Sequence, residues 1–302
     1  MTGQDAGRMA SPVVQLPDAQ LRPLLAAYDA SLRSRRLHSL LVVACIVAAV
    51  ALSSISAEVS LGKLAANIGN FTSYFGRLLH LDGGSLVFTD PVEWFWGLRR
   101  WLRLLGETLL MAYVGTTLGA VGAFFLCFLA AANVAPRPWL RVLVRRFCEL
   151  CRTVPELVFA LMFVIAFGLG PMAGVLAVAV HTLGALGKLF AEVVENIDMK
   201  PVEGVHATGA PWHVAMRFGA MPQVLSNFVS YALLRFEINV RGATVMGFVG
   251  AGGIGVDLVE AIRKFYYSDI SAILVLIIVT VSVIDTVTGQ VRHRLIGREE
   301  RR

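Results

Sequence analysis

The sequence predicts an all-α polytopic membrane protein of six transmembrane helices, with an amphipathic amino-terminal segment and an interfacial helix on the outer side. Three observations predict it. Of 302 residues, 56% are apolar and only 16% charged, where a soluble domain carries about a quarter charged residues. The charges cluster between apolar runs of about 20 residues, the length a hydrocarbon core requires. Several such runs in one chain are hard to bury in water. The formal charge of +6 follows from arginines flanking these runs, so a nucleic-acid partner is not expected.

In chain order, residues 1–37 form a polar leader with Arg33, Arg35 and Arg36. Its first residues are expected to be disordered, and Leu21 to Leu37 fits an amphipathic surface helix. No cleavable signal is expected, because the first apolar run begins only near Leu40. That first span, Leu37 to Ser56, opens a segment reaching residue 106. Within it Trp94, Trp96 and Trp101 suit a membrane interface, with Arg99, Arg100 and Arg103 facing headgroups. The core, 107–290, holds the second span from Glu107 to Ala131, whose Gly115, Gly119 and Gly122 permit close helix packing. A basic loop carrying Arg137, Arg141, Arg145 and Arg146 leads to a third span from about Thr153, or from an earlier start, to Phe167, broken at 168–171. The fourth runs from Met172 to Leu189, the fifth from Pro222 to Met246 and the sixth from Ser268 to Val287. A basic tail, 291–302, closes the chain.

Charge orients these spans. With the amino end inside, 18 of the 27 Lys and Arg fall on the inner side and eight on the outer, with Arg235 inside a span. Both termini and the stretch from Glu195 to Pro222 then lie in the cytoplasm. That stretch is the longest polar and glycine-containing interruption of the apolar second half. It reads as a short helix beginning near Glu203, a break at Gly209 and a second helical piece ending at Pro222, exposed on one membrane face as a docking element. A merely structural loop is the plain alternative.

Candidate chemistry is sparse. GAGGIG at 250–255 satisfies a dinucleotide-binding spacing, but that fingerprint has meaning only within a βαβ unit; a flexible turn folding an outer loop against the bundle fits better. Cys148 and Cys151 have metal or redox spacing without a second pair. Neither a nucleophile–base arrangement nor a nucleotide loop is present, so no catalytic residue, bound cofactor or metal is expected, and a membrane enzyme or a passive scaffold is disfavoured. Within the fifth span, Arg235, Glu237, Asn239 and Arg241 cannot all face lipid. Arg235 shares a helix face with Asn239, and Glu237 with Arg241. A guanidinium fork suits an oxyanion; a purely structural Glu–Arg pair is the alternative. Arg152 and Glu156, four apart, fit a further pair, Glu107 and Asp285 fit interfacial caps, and His181 an ordinary packing role. Active transport without a nucleotide site needs either a separate ATPase or an ion gradient, the latter with Glu237 or Glu156 as the coupling group.

Glu203-Gly204-Val205, three residues, Gly209, nine residues and then Gly219-Ala220-Met221-Pro222 resembles the EAA loop of bacterial ABC importer permeases, whose form is EAA, three residues, G, nine residues, I-x-LP. Glu203, Gly209 and Pro222 match; the two alanines and the isoleucine are replaced. Segments 107–119, 151–174, 181–198 and 235–255 together resemble phosphonate ABC transporter permeases of the PhnE type. The resemblance implies the type I importer permease fold in a bacterial cytoplasmic membrane and a phosphonate, phosphite or phosphate substrate. It also implies an extracytoplasmic phosphonate-binding protein, a second permease copy or related permease, and a cytoplasmic ABC ATPase dimer carrying ATP and Mg. On that reading Glu203, Gly204, Val205, Ala207, Gly209 and Pro222 belong to the coupling segment. An ion-coupled secondary anion transporter is the alternative function.

Overall fold

A computed structural model describes residues 18–57, 60–81 and 83–299. The expected disordered start and the last residues of the basic tail lie outside the described residues. Two compact units divide at Thr72 and Ser73. The first contains α1 (Asp18–Ser56) and most of α2 (Leu61–Leu78). The expected amphipathic helix and first span are one uninterrupted helix, whose apolar stretch Ser31–Ile55 is long enough to cross a membrane.

The second unit is helical throughout apart from a single bridge between His80 and Leu86 among the described residues. Its frame is α4 (Leu98–Ala130), α7 (Pro171–Glu195), α10 (Met221–Val245) and α12 (Tyr267–Glu299). Small residues decide how the frame closes. A Cβ on Gly115 would fall 2.7 Å from the Val178 Cβ, and one on Gly119 2.7 Å from the Ala179 carbonyl oxygen. The α4 and α7 backbones can therefore approach as closely as small-residue stripes allow, and they form the most extensive helix pair.

One end of this frame carries the 195–222 segment; the opposite end carries α3 (Pro91–Trp94) and α11 (Ile254–Lys264). Trp94 and Trp101 are buried in that opposite end with Val87 and Ile273, and the Trp94 indole N–H donates to Ser271 Oγ at 2.9 Å. Arg100 reaches Asp257 at 2.8 Å. The interfacial reading is corrected for Trp94 and Trp101; of the three tryptophans Trp96 alone is exposed, and it donates to Asp269 at 2.8 Å. The second span likewise starts earlier than expected, because Arg99, Arg100 and Arg103 occupy the first turns of α4.

The glycine stretch 250–255 is a tight knot. Gly250, Gly252 and Gly253 adopt positive φ, which glycine alone adopts freely. A Cβ on Gly247 would overlap the Gly255 backbone, and the Ile254 N–H donates to Thr108 Oγ1 at 2.9 Å. The turn folds α11 back as expected, yet close backbone contact makes it a fixed seat.

The third span takes the earlier start, residues 138–167 being long and apolar enough only as a bent pair of helices. Residues read as a basic loop form α5 (Pro138–Thr153), and the start near Thr153 leaves only the 12-residue α6 (Glu156–Phe167), bent 87° from α5. Twelve residues reach about 18 Å, short of a core of about 30 Å. Instead α5 rises along α7: a Cβ on Gly187 would lie 2.8 Å from Cys148 Sγ, and one on Gly184 2.6 Å from the Arg152 nitrogen. Pro155 has no N–H to continue the helix and disfavours helical geometry at Val154, which is extended.

Candidate functional site: a braced surface helix and a buried polar cluster

The 195–222 segment begins with α8 (Lys200–Ala207), with Pro201 in its first turn. It therefore starts a turn before Glu203. Val202 is buried and Val205 half-buried, whereas Glu203, Gly204, His206 and Ala207 are exposed. Gly209 ends the helix with φ +81° and open space around it. Its glycine is demanded by backbone conformation.

The second piece, α9 (Trp212–Ala215), does not stop at Pro222. It continues through a π turn at Met216–Ala220 into α10, where Pro222 occupies the first turn. The helical backbone therefore runs without a loop from the surface segment into the span.

Two sets of contacts fix the 195–222 segment to the bundle. At the α4 end, the Trp212 indole donates to the Val134 carbonyl at 2.6 Å, and the Asn133 amide donates to the Val194 carbonyl at 2.8 Å. Glu195 accepts from the Ala132 N–H at 2.6 Å and from Arg145. At the α10 end, the Gln223 amide donates to the Asp198 and Gly219 carbonyls at 3.0 and 2.7 Å while accepting from the Asp198 N–H at 3.0 Å. Val202 rests on Gly219. α8 itself rests through Val202 on the π turn that leads into α10, and α9 reaches the loop after α4 through Trp212.

Deeper in the bundle, Asn239 is fully buried and donates to Thr116 at 2.7 Å and Thr182 at 2.8 Å. Three helices meet through one amide. Arg235 contacts His181 Nδ1, and Glu156 lies 3.8 Å from the same imidazole. The expected Arg152–Glu156 pair does not form among the described residues: the break after Thr153 turns Glu156 toward His181. Gly242 makes room, because a Cβ there would overlap the Glu156 carboxylate. His181, read as a packing residue, is thus the centre of a three-helix cluster; its place one turn from Arg152 across the α5–α7 contact gives no signal in the chain.

Glu237 pairs with Arg241 along one face as expected, and Arg241 also lies 3.8 Å from Asp285 on α12. Asp285 is therefore an ion-pair partner, and Glu107 lies 3.7 Å from Arg103. Both caps become pairs. Arg235 and Arg241 engage different neighbours and do not converge on one site. Among the described residues no group of three metal-ligating side chains comes together, and Cys148 and Cys151 are buried against α7 as packing residues.

Residues 123–298 match the family described as binding-protein-dependent transport system inner membrane component. A phosphite transport system permease protein of Stutzerimonas stutzeri is 40% identical over 198 residues, 66% of this chain and 72% of that protein. A phosphate-import permease protein of Mycolicibacterium smegmatis is 40% identical over 190 residues, 63% of this chain and 36% of that protein. Among solved structures, a chain of the MetNI methionine ABC transporter in an inward-facing conformation aligns with TM-score 0.55 at 20% identity, covering 68% of this chain and 98% of that one.

Proposed function

Because the chain belongs to the family of binding-protein-dependent transport system inner membrane components, we propose that it is the permease subunit of an ATP-driven importer for a phosphorus oxyanion: phosphonate, phosphite or phosphate. The chain itself is non-catalytic, with ATP and Mg on a separate cytoplasmic ATPase dimer. Two relatives are named for phosphite and phosphate transport, and both chemistries share a tetrahedral anion. An extracytoplasmic binding protein delivers that anion, and a second permease, a copy or a relative, completes an enclosure that one bundle is too small to form.

The observation that carries this reading is the construction of α8. It is short, packed on its Val202 side and exposed along Glu203, Gly204 and Ala207. Bracing of the 195–222 segment at both the α4 and α10 ends converts motion of a partner seated on that exposed side into rigid-body motion of two spans. Val205 and Gly209 set the shape of the docking piece, and Pro222 starts the span that receives the motion. The 195–222 end is then cytoplasmic, in agreement with the charge distribution. Inside the bundle, Arg235 with Glu156 and His181, Glu237 with Arg241, and Asn239 hold the spans in register around the path.

The test is site-specific crosslinking from Ala207→Cys in membranes co-expressing the cognate ATPase, paired with uptake of radiolabelled phosphite, methylphosphonate and phosphate. Crosslinking to the ATPase with ATP-dependent uptake is expected. Uptake that follows a proton or sodium gradient without an ATPase overturns the reading in favour of a secondary transporter.

A further inference from the structure

Helix α5 has three sides of different character. At about 100° per residue, Val144, Cys148 and Cys151 form one stripe, buried against α7. On one flank Trp139, Leu143, Phe147 and Leu150 are exposed and apolar. On the other lie Arg145, Arg146, Glu149, Arg152 and Thr153, with the exposed Val142 among them near the start of the helix. Such a helix separates two surroundings, one oily and one wet.

Its depth makes this division consequential. Arg152 packs beside Gly184, 11 residues before Glu195 at the end of α7 and so roughly 16 Å inward from it. That is about half of a core of about 30 Å. The charged flank therefore runs from the cytoplasmic end of the bundle to near its middle, where charges that face lipid are costly and normally face a polar cavity. A cleft of about 100 Å³ follows the same line between α5 and α7, bordered by Arg145, Glu149, Lys188, Glu192 and Glu195.

Most charges along this line are paired, although Arg141, half-buried near the start of α5, has no salt bridge among the described residues. Arg145 pairs with Glu195, Arg146 with Glu149 at 2.6 Å, and Lys188 with Glu192 at 3.5 Å. Farther in, Arg235 is held by His181 beside Glu156. Arg152 differs: it is exposed, and among the described residues no carboxylate lies within ion-pairing distance of it. It stands at the inner end of the flank, immediately before the break.

We infer that the polar flank of α5 lines the cytoplasmic half of the translocation path and that Arg152, rather than Arg235, is the guanidinium that meets the passing oxyanion. The cargo in this inference rests on the function proposed above; the wet flank rests on geometry alone. Arg152 offers a planar fork to a tetrahedral anion without first breaking a native pair, whereas Arg235 would have to leave its imidazole. The apolar flank faces lipid.

The assembled transporter in proteoliposomes tests both parts. In a Cys45→Ala background, Glu149→Cys and Thr153→Cys report the polar flank, and Leu143→Cys and Leu150→Cys the apolar one. A charged, membrane-impermeant methanethiosulfonate should react at 149 and 153 at least tenfold faster than at 143 and 150. Equal or reversed rates overturn the path. Separately, Arg152→Gln should lower phosphite uptake at least tenfold in transporter that assembles in normal amount, with Arg152→Lys intermediate; wild-type uptake in Arg152→Gln overturns the role of Arg152. If the wild-type transporter moves none of phosphite, methylphosphonate or phosphate while the labelling pattern holds, the oxyanion reading and the role of Arg152 fall and the wet flank stands.

Discussion

Val202 on α8 sits so close to Gly219 in the π turn that a Cβ on Gly219 would fall 2.7 Å from the Val202 Cα. The obstacle is backbone, which has no rotamer by which to yield. Gly219→Ala should therefore push α8 off its seat, with an overpacking cost of about 1–3 kcal/mol. In purified transporter the expected outcome is lowered thermal stability and a loss of uptake out of proportion to ATP hydrolysis. Unchanged uptake and stability would remove the seat from the account.

Gly209 presents the opposite case, positive φ with space around it. Gly209→Ala places a Cβ in left-handed backbone at about 1–2 kcal/mol, whereas Gly209→Asn is better tolerated. ATPase association, measured by co-purification, should fall in the order Gly, Asn, Ala, Val. Equal association across the series would show that the turn conformation is immaterial.

Through one side-chain amide, Asn239 joins α4, α7 and α10. Hydrogen bonds between membrane helices contribute about 0.6 kcal/mol on average and up to about 1.7. Losing two donors from a buried site, Asn239→Leu should destabilise the permease in micelles by about 1–3 kcal/mol. Reversible unfolding measured against Thr116→Val and Thr182→Val, singly and combined, should show non-additive losses; strict additivity would contradict a shared amide.

The Glu156 carboxylate lies where a Gly242 side chain would be. Gly242→Ala should displace it and reduce transport. Glu156→Asp, one methylene shorter, should restore part of the loss in the double variant. Absence of any rescue would indicate that Gly242 matters for another reason.

How much of this was legible depended on whether neighbouring residues or distant ones set the outcome. The spans of α4, α7 and α12 follow from length and hydropathy, which are local, whereas α10 meets the same test only together with α11. The two-piece form of the 195–222 segment was also legible from its glycine break at Gly209, although Pro222, expected to end the second piece, instead lies in the first turn of α10. The path of α5 was not legible. Four arginines between 137 and 146 read as a loop, since nothing in the sequence says that Gly184 and Gly187 on another helix open a groove for Cys148 and Cys151. The same dependence hid His181, which gains its role only when Pro155 turns Glu156 inward. Trp94 and Trp101 misled for a related reason: aromatic residues suit an interface, but a cap built over them from α11 and α12 buries them.

The charged flank of α5 also has an electrical consequence. Each elementary charge moved across a membrane at 100 mV is worth about 2.3 kcal/mol, so a dianion entering a cytoplasm held negative climbs about twice that. Guanidinium groups fixed partway along the route cannot alter the end-to-end climb, because they leave the potential of the two compartments unchanged. They flatten the barrier between them by holding the anion near mid-depth. Turnover in polarised vesicles should therefore slow as the interior becomes more negative, with the voltage dependence set by the fraction of the field lying between Arg152 and the cytoplasmic exit.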